Sequence, residues 1–430
     1  MDLLIFSPVI LLIVLMLIGV PIAFSLALAG FAGIWMFLGD WGRAITVLGT
    51  STYSTIADYN LSTIPLFILM AFFASGGNLA SNLFKAISAW SSNVRGGTAV
   101  ASTIATGVFG AMSGTTTATA SVMSEISIPE MRKLGYKDEL SSGVVALGAT
   151  MAILIPPSVP LVIYGLMTET SIGALLLAGV LPGILLGFCL LITILAWVKF
   201  DPSIAPNLRP ATWKEKRESL VPVLPAVVML GTVILLLYSG FATPTEIGAI
   251  GACAAGLIGF GMRALNLSGS LNAIVKALRS SAMIFLILLG ASIFGYFVTF
   301  TQIPQHASEW IISMDLNRWL VVVVIIVLYF LLSMFMDEMP LMLISLPITF
   351  PIIISLGFDP VWFGVMNMLM AAMGQVFPPV GISAFVVAAS GRVDLLKVYK
   401  GCGVLLIALV LTTILVMIFP SIALFLPGLR

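Results

Sequence analysis

The chain has 430 residues, of which 60% are hydrophobic and 9% charged, and 19 basic against 18 acidic residues leave a net charge of +1. A soluble globule carries roughly 25% charged residues, so a soluble domain, a disordered chain and a disulfide scaffold are excluded, as are a basic nucleic-acid binder and an acidic solvating tail. What remains is an all-α polytopic membrane protein in contact with membrane lipid, with a mean hydropathy of +1.17.

Composition narrows the chemistry. His306 is the only histidine, so HExxH and multi-histidine metal sites are not available. Cys189, Cys253 and Cys402 are far apart in apolar runs and read as packing residues. There is no GxxxxGK[ST] phosphate loop and no sign of an organic cofactor.

A span needs about 20 apolar residues. In chain order, 3–20 reads as a retained first span, without the basic region or cleavage site of a signal peptide, and 21–38 as the second. The mixed stretch 40–58 reads as an interfacial arm and 61–79 as a span. The segment 97–130 is apolar but interrupted, with Lys85 and Arg95 before it and Arg132, Lys133 and Lys137 after it. Both ends are therefore cytoplasmic, and the segment reads as a re-entrant hairpin. A broken helix at 140–168 and a span at 171–199 follow, then a basic linker, 201–218. The second half has spans at 219–238 and 244–262, an arm at 263–280 and a span at 281–300. Its outer connection, Gln302 to Trp310, carries His306 and reads as a solvated loop. A second hairpin covers 317–356, a broken helix 360–391 and a last span 401–422. Acidic Glu309, Asp315 and Asp359 place the second hairpin's ends outside. The sum is ten spans and two hairpins, with both termini periplasmic. Trp35, Trp41, Trp90, Trp197, Trp310, Trp319 and Trp362 fall near predicted helix ends, as an interfacial belt requires.

The chain repeats. An offset of 222 matches Ile126, Pro129, Leu134, Gly135, Leu147, Ala149, Met151 and Pro156-Pro157 to Ile348, Pro351, Leu356, Gly357, Leu369, Ala371, Met373 and Pro378-Pro379. The halves, 1–200 and 219–430, start on opposite sides of the membrane and form an inverted repeat. Inverted repeats with broken helices point to a secondary transporter with a midplane site.

Four motifs carry the candidate chemistry. The first hairpin turns at Gly110-Ala111-Met112-Ser113-Gly114-Thr115-Thr116-Thr117-Ala118-Thr119, whose hydroxyls suit a hard cation or a carboxylate; back-bonding within the helix is the alternative. Pro156-Pro157-Ser158 releases upstream carbonyls for a cation, with Thr150 and Ser158 adding oxygens; a plain kink is the alternative. Asp337-Glu338 tips the second hairpin, and acids at membrane depth are functional by default, or caps. Gly374-Gln375-Val376-Phe377-Pro378-Pro379-Val380-Gly381 breaks the facing segment. Glu246, after Thr243-Pro244, reads as structural or gating.

Thr63-Ile64-Pro65, Ser113-Gly114-Thr115, Leu154-Ile155-Pro156-Pro157-Ser158, Thr243-Pro244-Thr245-Glu246, Phe358-Asp359-Pro360 and Pro378-Pro379-Val380-Gly381 resemble the DctM-like large membrane subunit of tripartite ATP-independent periplasmic (TRAP) transporters over essentially the whole chain. The resemblance implies an elevator-type ion-transporter fold. It implies Na+ symport of an organic acid, such as a C4-dicarboxylate, sialic acid or another sugar acid, across the bacterial inner membrane. It implies two partners, a periplasmic substrate-binding protein and a separate four-helix small membrane subunit. By the same resemblance, about two or more Na+ sites use Ser113, Gly114, Thr115, Thr116, Thr150, Pro156 and Ser158 in the first half, and Asp337, Glu338, Gly374, Gln375, Pro378 and Gly381 in the second. The substrate carboxylate falls to Ser113, Thr115 and Ser158. Two features depart from the family: Val376-Phe377 replaces a frequent Thr before the second proline pair, and the tip at Asp337-Glu338 is unusually acidic. The rival reading is a stand-alone Na+- or H+-coupled organic anion carrier or ion antiporter. An enzyme is not expected.

Overall fold

The computed structural model describes residues 3–76, 79–314 and 316–429. The expectations resting on Asp315 and on the Trp310 side chain fall outside what is described. Among the described residues the chain is helical throughout, with no strand. The first half comprises α1 (Leu3–Leu17), α2 (Ile22–Leu38), α3 (Trp41–Ile56), α4 (Thr63–Gly76), α5 (Leu79–Ser91), α6 (Gly97–Ser113), α7 (Thr116–Lys133), α8 (Asp138–Ala149), α9 (Val159–Thr168) and α10 (Ile172–Phe200). A connecting helix, α11 (Trp213–Leu220), leads to α12 (Leu224–Ser239), α13 (Pro244–Gly261), α14 (Leu267–Phe300), α15 (Ile303–Ser313), α16 (Arg318–Ser333), α17 (Glu338–Ser355), α18 (Pro360–Gln375), α19 (Ile382–Gly391), α20 (Leu395–Ile418) and α21 (Ser421–Gly428).

The duplication extends to helix bounds. α7 and α17 are offset by 222 residues at both ends, from Thr116 to Glu338 and from Lys133 to Ser355. α8 and α18 begin with the same offset, at Asp138 and Pro360. By length and composition, seven helical segments among the described residues can cross a membrane, and five apolar helices are shorter. Glu338–Ser355, an arm of the second hairpin, is one of the seven, whereas each broken helix is divided into short pieces.

The helices sort into a frame and a hairpin module. In the frame, α14 packs along α2 and α4, and α4 packs on α13. Glycines set the α2–α14 distance: a Cβ on Gly30 would lie 2.6 Å from the Phe294 backbone, and one on Gly290 2.2 Å from the Ala23 carbonyl. In the module, α7 packs on α19 and α17 on α9, so each hairpin leans on the other half's broken helix. α10 and α20 pack against each other and brace both.

Several expectations are corrected. The arm 263–280 and the span 281–300 are one 34-residue helix, α14. No proline interrupts it, and long basic side chains such as Lys276 and Arg279 can reach an interface without ending a helix. The connection carrying His306 is helical, within α15, and His306 Nδ1 lies 3.8 Å from Glu309 Oε2 on an exposed face. Trp362 is buried rather than interfacial; its Nε1 donates to the Val416 carbonyl (3.0 Å) and its ring stacks on Phe358. Glu246, read as structural or gating, is not corrected: it closes a capping box with Thr243 at the start of α13, which is a structural role. The linker is folded: Arg95 donates to the Pro202 and Ala205 carbonyls, and Trp90 Nε1 to the Lys216 carbonyl.

One ion-pair cluster joins the halves. Asp138 receives Arg132 Nε (2.6 Å) and Lys397 Nζ (3.2 Å), while Arg132 Nη2 donates to the Arg392 carbonyl. Burial works to raise the Asp138 pKa, but the hydrogen bonds and charges of Arg132 and Lys397 outweigh it and hold the carboxyl below its usual value. A lowered folded-state pKa stabilises above the unfolded pKa, and that stabilisation is lost as pH falls through the folded value. Asp138→Asn should therefore lower Tm by about 1–2 °C at neutral pH, and the difference from wild type should shrink below about pH 4. Thermal unfolding across pH checks both.

Candidate functional site

Each hairpin tip is seated on the break of its own half. Gly114 ends α6 in the left-handed region (φ 69°), and its N–H returns to the Gly110 carbonyl. Thr115 is extended and precedes α7. Ser113 Oγ lies 3.1 Å from the Thr115 carbonyl and 2.8 Å from Thr119 Oγ1, so the turn is held by its own hydroxyls. The Val159 N–H then donates to the Gly114 carbonyl (3.2 Å). A Cβ on Gly114 would lie 3.0 Å from the Pro157 carbonyl, which is why the tip needs a residue without one.

The first break follows from its prolines. α8 tightens into a 3-10 turn, Thr150–Ile153, and the chain passes through Pro156-Pro157 in cis before α9. Prolines have no N–H to donate. The Ser158 hydroxyl donates to the Ile153 carbonyl (2.7 Å) and accepts from the Leu161 N–H as the cap of α9. Thr150 Oγ1 donates to the Leu147 carbonyl (2.7 Å). The Leu154 carbonyl faces α10, where a Cβ on Gly179 would come within 2.0 Å of it. Pro156, Pro157, Ser158 and Thr150 are all buried. Thr116 is also buried, and its Oγ1 has no hydrogen-bond partner among the described residues.

The second half repeats the scheme with different chemistry. The Gly381 N–H donates to the Met334 carbonyl (3.0 Å); Gly381 is the repeat partner of Val159. Ser333 Oγ donates to the Phe330 and Met370 carbonyls, and a Cβ on Gly374 would sit 1.8 Å from that oxygen. Asp337 caps α17 through the Glu338 N–H (3.0 Å). Gln375 Nε2 donates to Asp337 Oδ1 (3.0 Å) and to Glu338 Oε2. Ser383 Oγ donates to Gln375 Oε1 (3.2 Å). Glu338 is fully buried, and its Oε1 has no partner among the described residues. Pro378 and Pro379, unlike the first pair, are exposed.

Thus Ser113–Thr116 meet Pro156–Ser158, and Asp337 and Glu338 meet Gln375, as the motifs led us to expect. Pattern reading missed Tyr399, Ser383, Ser333 and Gly179. Tyr399 of α20 donates its hydroxyl to the Val380 carbonyl (2.6 Å), with the Pro379 carbonyl 3.2 Å away. Nothing in its local sequence marks it; the only available signal was the rule that a proline break frees carbonyls in need of donors. Tyr399→Phe removes about 1 kcal/mol of hydrogen bonding, so a Tm lower by about 1–2 °C is expected. An unchanged Tm would mean that water serves these carbonyls equally well.

Among the described residues no three His, Cys, Asp or Glu side chains cluster as a metal site. A cation here would be held by hydroxyls, carbonyls and at most two carboxylates, an all-oxygen donor set suited to a hard cation. The fold is similar to that of the YdaH transporter of Alcanivorax borkumensis, which superposes with a TM-score of 0.63 over 89% of each chain at 14% identity. Residues 9–422 match the family described as tripartite ATP-independent periplasmic transporter, DctM component. The chain belongs to this family.

Similar proteins agree in class and differ in cargo. The C4-dicarboxylate TRAP transporter large permease protein DctM of Pseudomonas aeruginosa is 34% identical, over 94% of each chain. The ectoine TRAP transporter large permease protein TeaC of Halomonas elongata is 32% identical, and the sialic acid TRAP transporter large permease protein SiaM of Vibrio cholerae 28%, each over 96% of both chains. This TRAP large permease is thus a multi-pass membrane transporter of a family that works with a small membrane subunit and a periplasmic binding protein.

Proposed function

We propose that this permease imports a carboxylate-bearing organic acid by Na+ symport, receiving it from a periplasmic binding protein and pairing with a separate small membrane subunit. The observation that carries the reading is the docking of each tip on its break by one backbone hydrogen bond, Val159 to Gly114 and Gly381 to Met334. One Na+ is assigned between Ser113–Thr116 and Pro156–Ser158, with Thr150 behind it, and a second between Asp337 and the break from Gly374 to Gly381. The buried Thr116 Oγ1 without a partner supports the first assignment. Na+ binding there organises the tips, and the positive start of α7, with Ser113 and Thr115, receives the carboxylate. The halves are read as inverted, both termini as periplasmic, and the hairpin module as the element that slides against the frame. C4-dicarboxylates, ectoine and sialic acid, the cargoes named for the relatives, bound the first substrate screen.

The test is reconstitution with the small subunit in proteoliposomes, varying an inward Na+ gradient and added binding protein. Uptake that needs both is expected. Uptake without the binding protein would establish the stand-alone carrier instead.

A further inference from the structure

We propose that Tyr164 is a positioning residue that couples the two Na+ sites, so that filling one raises the affinity of the other. This rests on the two-site symport reading and adds the route by which the sites communicate.

The route begins in α9. Its first residue, Val159, makes the hydrogen bond that seats the first tip, and Ser158 caps it. The rest of α9 serves the other half. Tyr164 is fully buried, and its hydroxyl donates to the Pro360 carbonyl (2.7 Å) in the first turn of α18. Its ring meets Phe350 of α17 and Phe363 of α18 edge to face. α18 is notched to receive that ring, because a Cβ on Gly364 would lie 2.9 Å from Tyr164 Cε1. α17 starts at the second tip and α18 ends at the second break. One side chain therefore touches both helices that form the second site, and it does so from a helix whose start forms the first. Tyr164 itself lies about 9 Å along α9 from Ser158, too far to ligate a cation there.

The other half has the reciprocal arrangement. α19 starts at the second site, where the Gly381 N–H donates to the Met334 carbonyl. Its far end meets α7. Ser390 Oγ lies 3.1 Å from Ser121 Oγ, the Arg392 carbonyl accepts from Arg132 Nη2 (2.9 Å), and a Cβ on Gly391 would lie 2.5 Å from Ile128 Cδ1. α7 starts at the first tip. Each site thus sends a short helix to the arm of the opposite hairpin.

α9 and α19 have ten residues each, and neither carries a proline beyond its first turn. A helix of that length, about 15 Å, in a close-packed interior moves as one body. A tip seated on its break fixes the start of one such strut. The far end of the strut then holds the opposite hairpin arm in its seated geometry. Ordering completed at one site leaves less to order at the other, which is positive cooperativity.

The experiment uses Na+ alone as the probe. The permease, purified with its small subunit, is titrated with NaCl at an ionic strength held by choline chloride. Hydrogen–deuterium exchange is read around Gly114 and around Asp337. Protection of both tips should rise together, with a Hill coefficient of about 1.6 for a coupling factor of about 20. Tyr164→Phe deletes only the hydroxyl. It should cut the coupling about fivefold and bring the coefficient to about 1.3. Adding Ser390→Ala should bring it to about 1. Thr63→Val removes a buried hydrogen bond in the frame, to Thr245 (2.6 Å), and should leave the coefficient unchanged. A coefficient unchanged in Tyr164→Phe and in the double variant, or lowered as far by Thr63→Val, would overturn the role of Tyr164. A wild-type coefficient of 1 at tips that Na+ does protect would overturn the coupling and leave the symport reading standing. Tips indifferent to Na+ would remove the symport reading itself, and the coupling with it.

Discussion

Gly374→Ala should abolish Na+-dependent uptake by the reconstituted complex while the protein still inserts and purifies. The added methyl would lie 1.8 Å from Ser333 Oγ, 2.6 Å from the Ser333 carbonyl carbon and 2.7 Å from the Met334 nitrogen. Rotating or deleting the hydroxyl relieves only the first of these contacts, so α16 must shift away from α18. Overpacking of this kind costs about 1–3 kcal/mol. The shift would also strain the Gly381 to Met334 hydrogen bond, which seats the second tip. The decisive control is the double variant Gly374→Ala/Ser333→Ala. Because the backbone clash persists, it should remain inactive, and recovered uptake would show that only the hydroxyl mattered.

Ser158→Ala should have the second largest effect, and it should appear as a change in Na+ dependence. The substitution deletes the donor to the Ile153 carbonyl and the cap of α9 in one step. Losing a cap costs about 1 kcal/mol, and an unsatisfied buried carbonyl about 1–3 kcal/mol. Together these are enough to raise the Na+ concentration for half-maximal uptake roughly tenfold or more. The α8–α9 break would lose the geometry against which Ser113–Thr116 sit, since Val159, the next residue, makes the hydrogen bond to Gly114. Uptake measured against Na+ concentration checks this. An unchanged half-maximal concentration would place the cation elsewhere.

The two predictions differ in how far the sequence alone foresaw them. Ser158 stands beside a repeated proline pair, and its residue type announces a hydroxyl at a helix start. Gly374 also lies in a legible break, but the reason it must be glycine is Ser333, 41 residues earlier. In the structure Asp337 and Glu338 both meet Gln375 of the second break. The glutamine that bridges them was included only by proximity to the prolines.

Local chemistry settled the class of the protein. Few charges, long apolar runs and paired prolines are properties of short stretches, and hydrophobic burial and the lost proline N–H act on the residues that carry them. They were enough for a helical membrane protein, two hairpins, two broken helices and an offset of 222. Tertiary structure decided matters that depend on a distant partner. It joined the arm and span of α14 and drew Trp362 inward to the Val416 carbonyl. It also brought Tyr399 to the second break and left one oxygen of Glu338 without a donor. Apart from the continuity of α14, each of these turns on which donor reaches which acceptor across helices. A hydrogen bond is short and directional, so its partner is chosen by packing rather than by the order of residues along the chain.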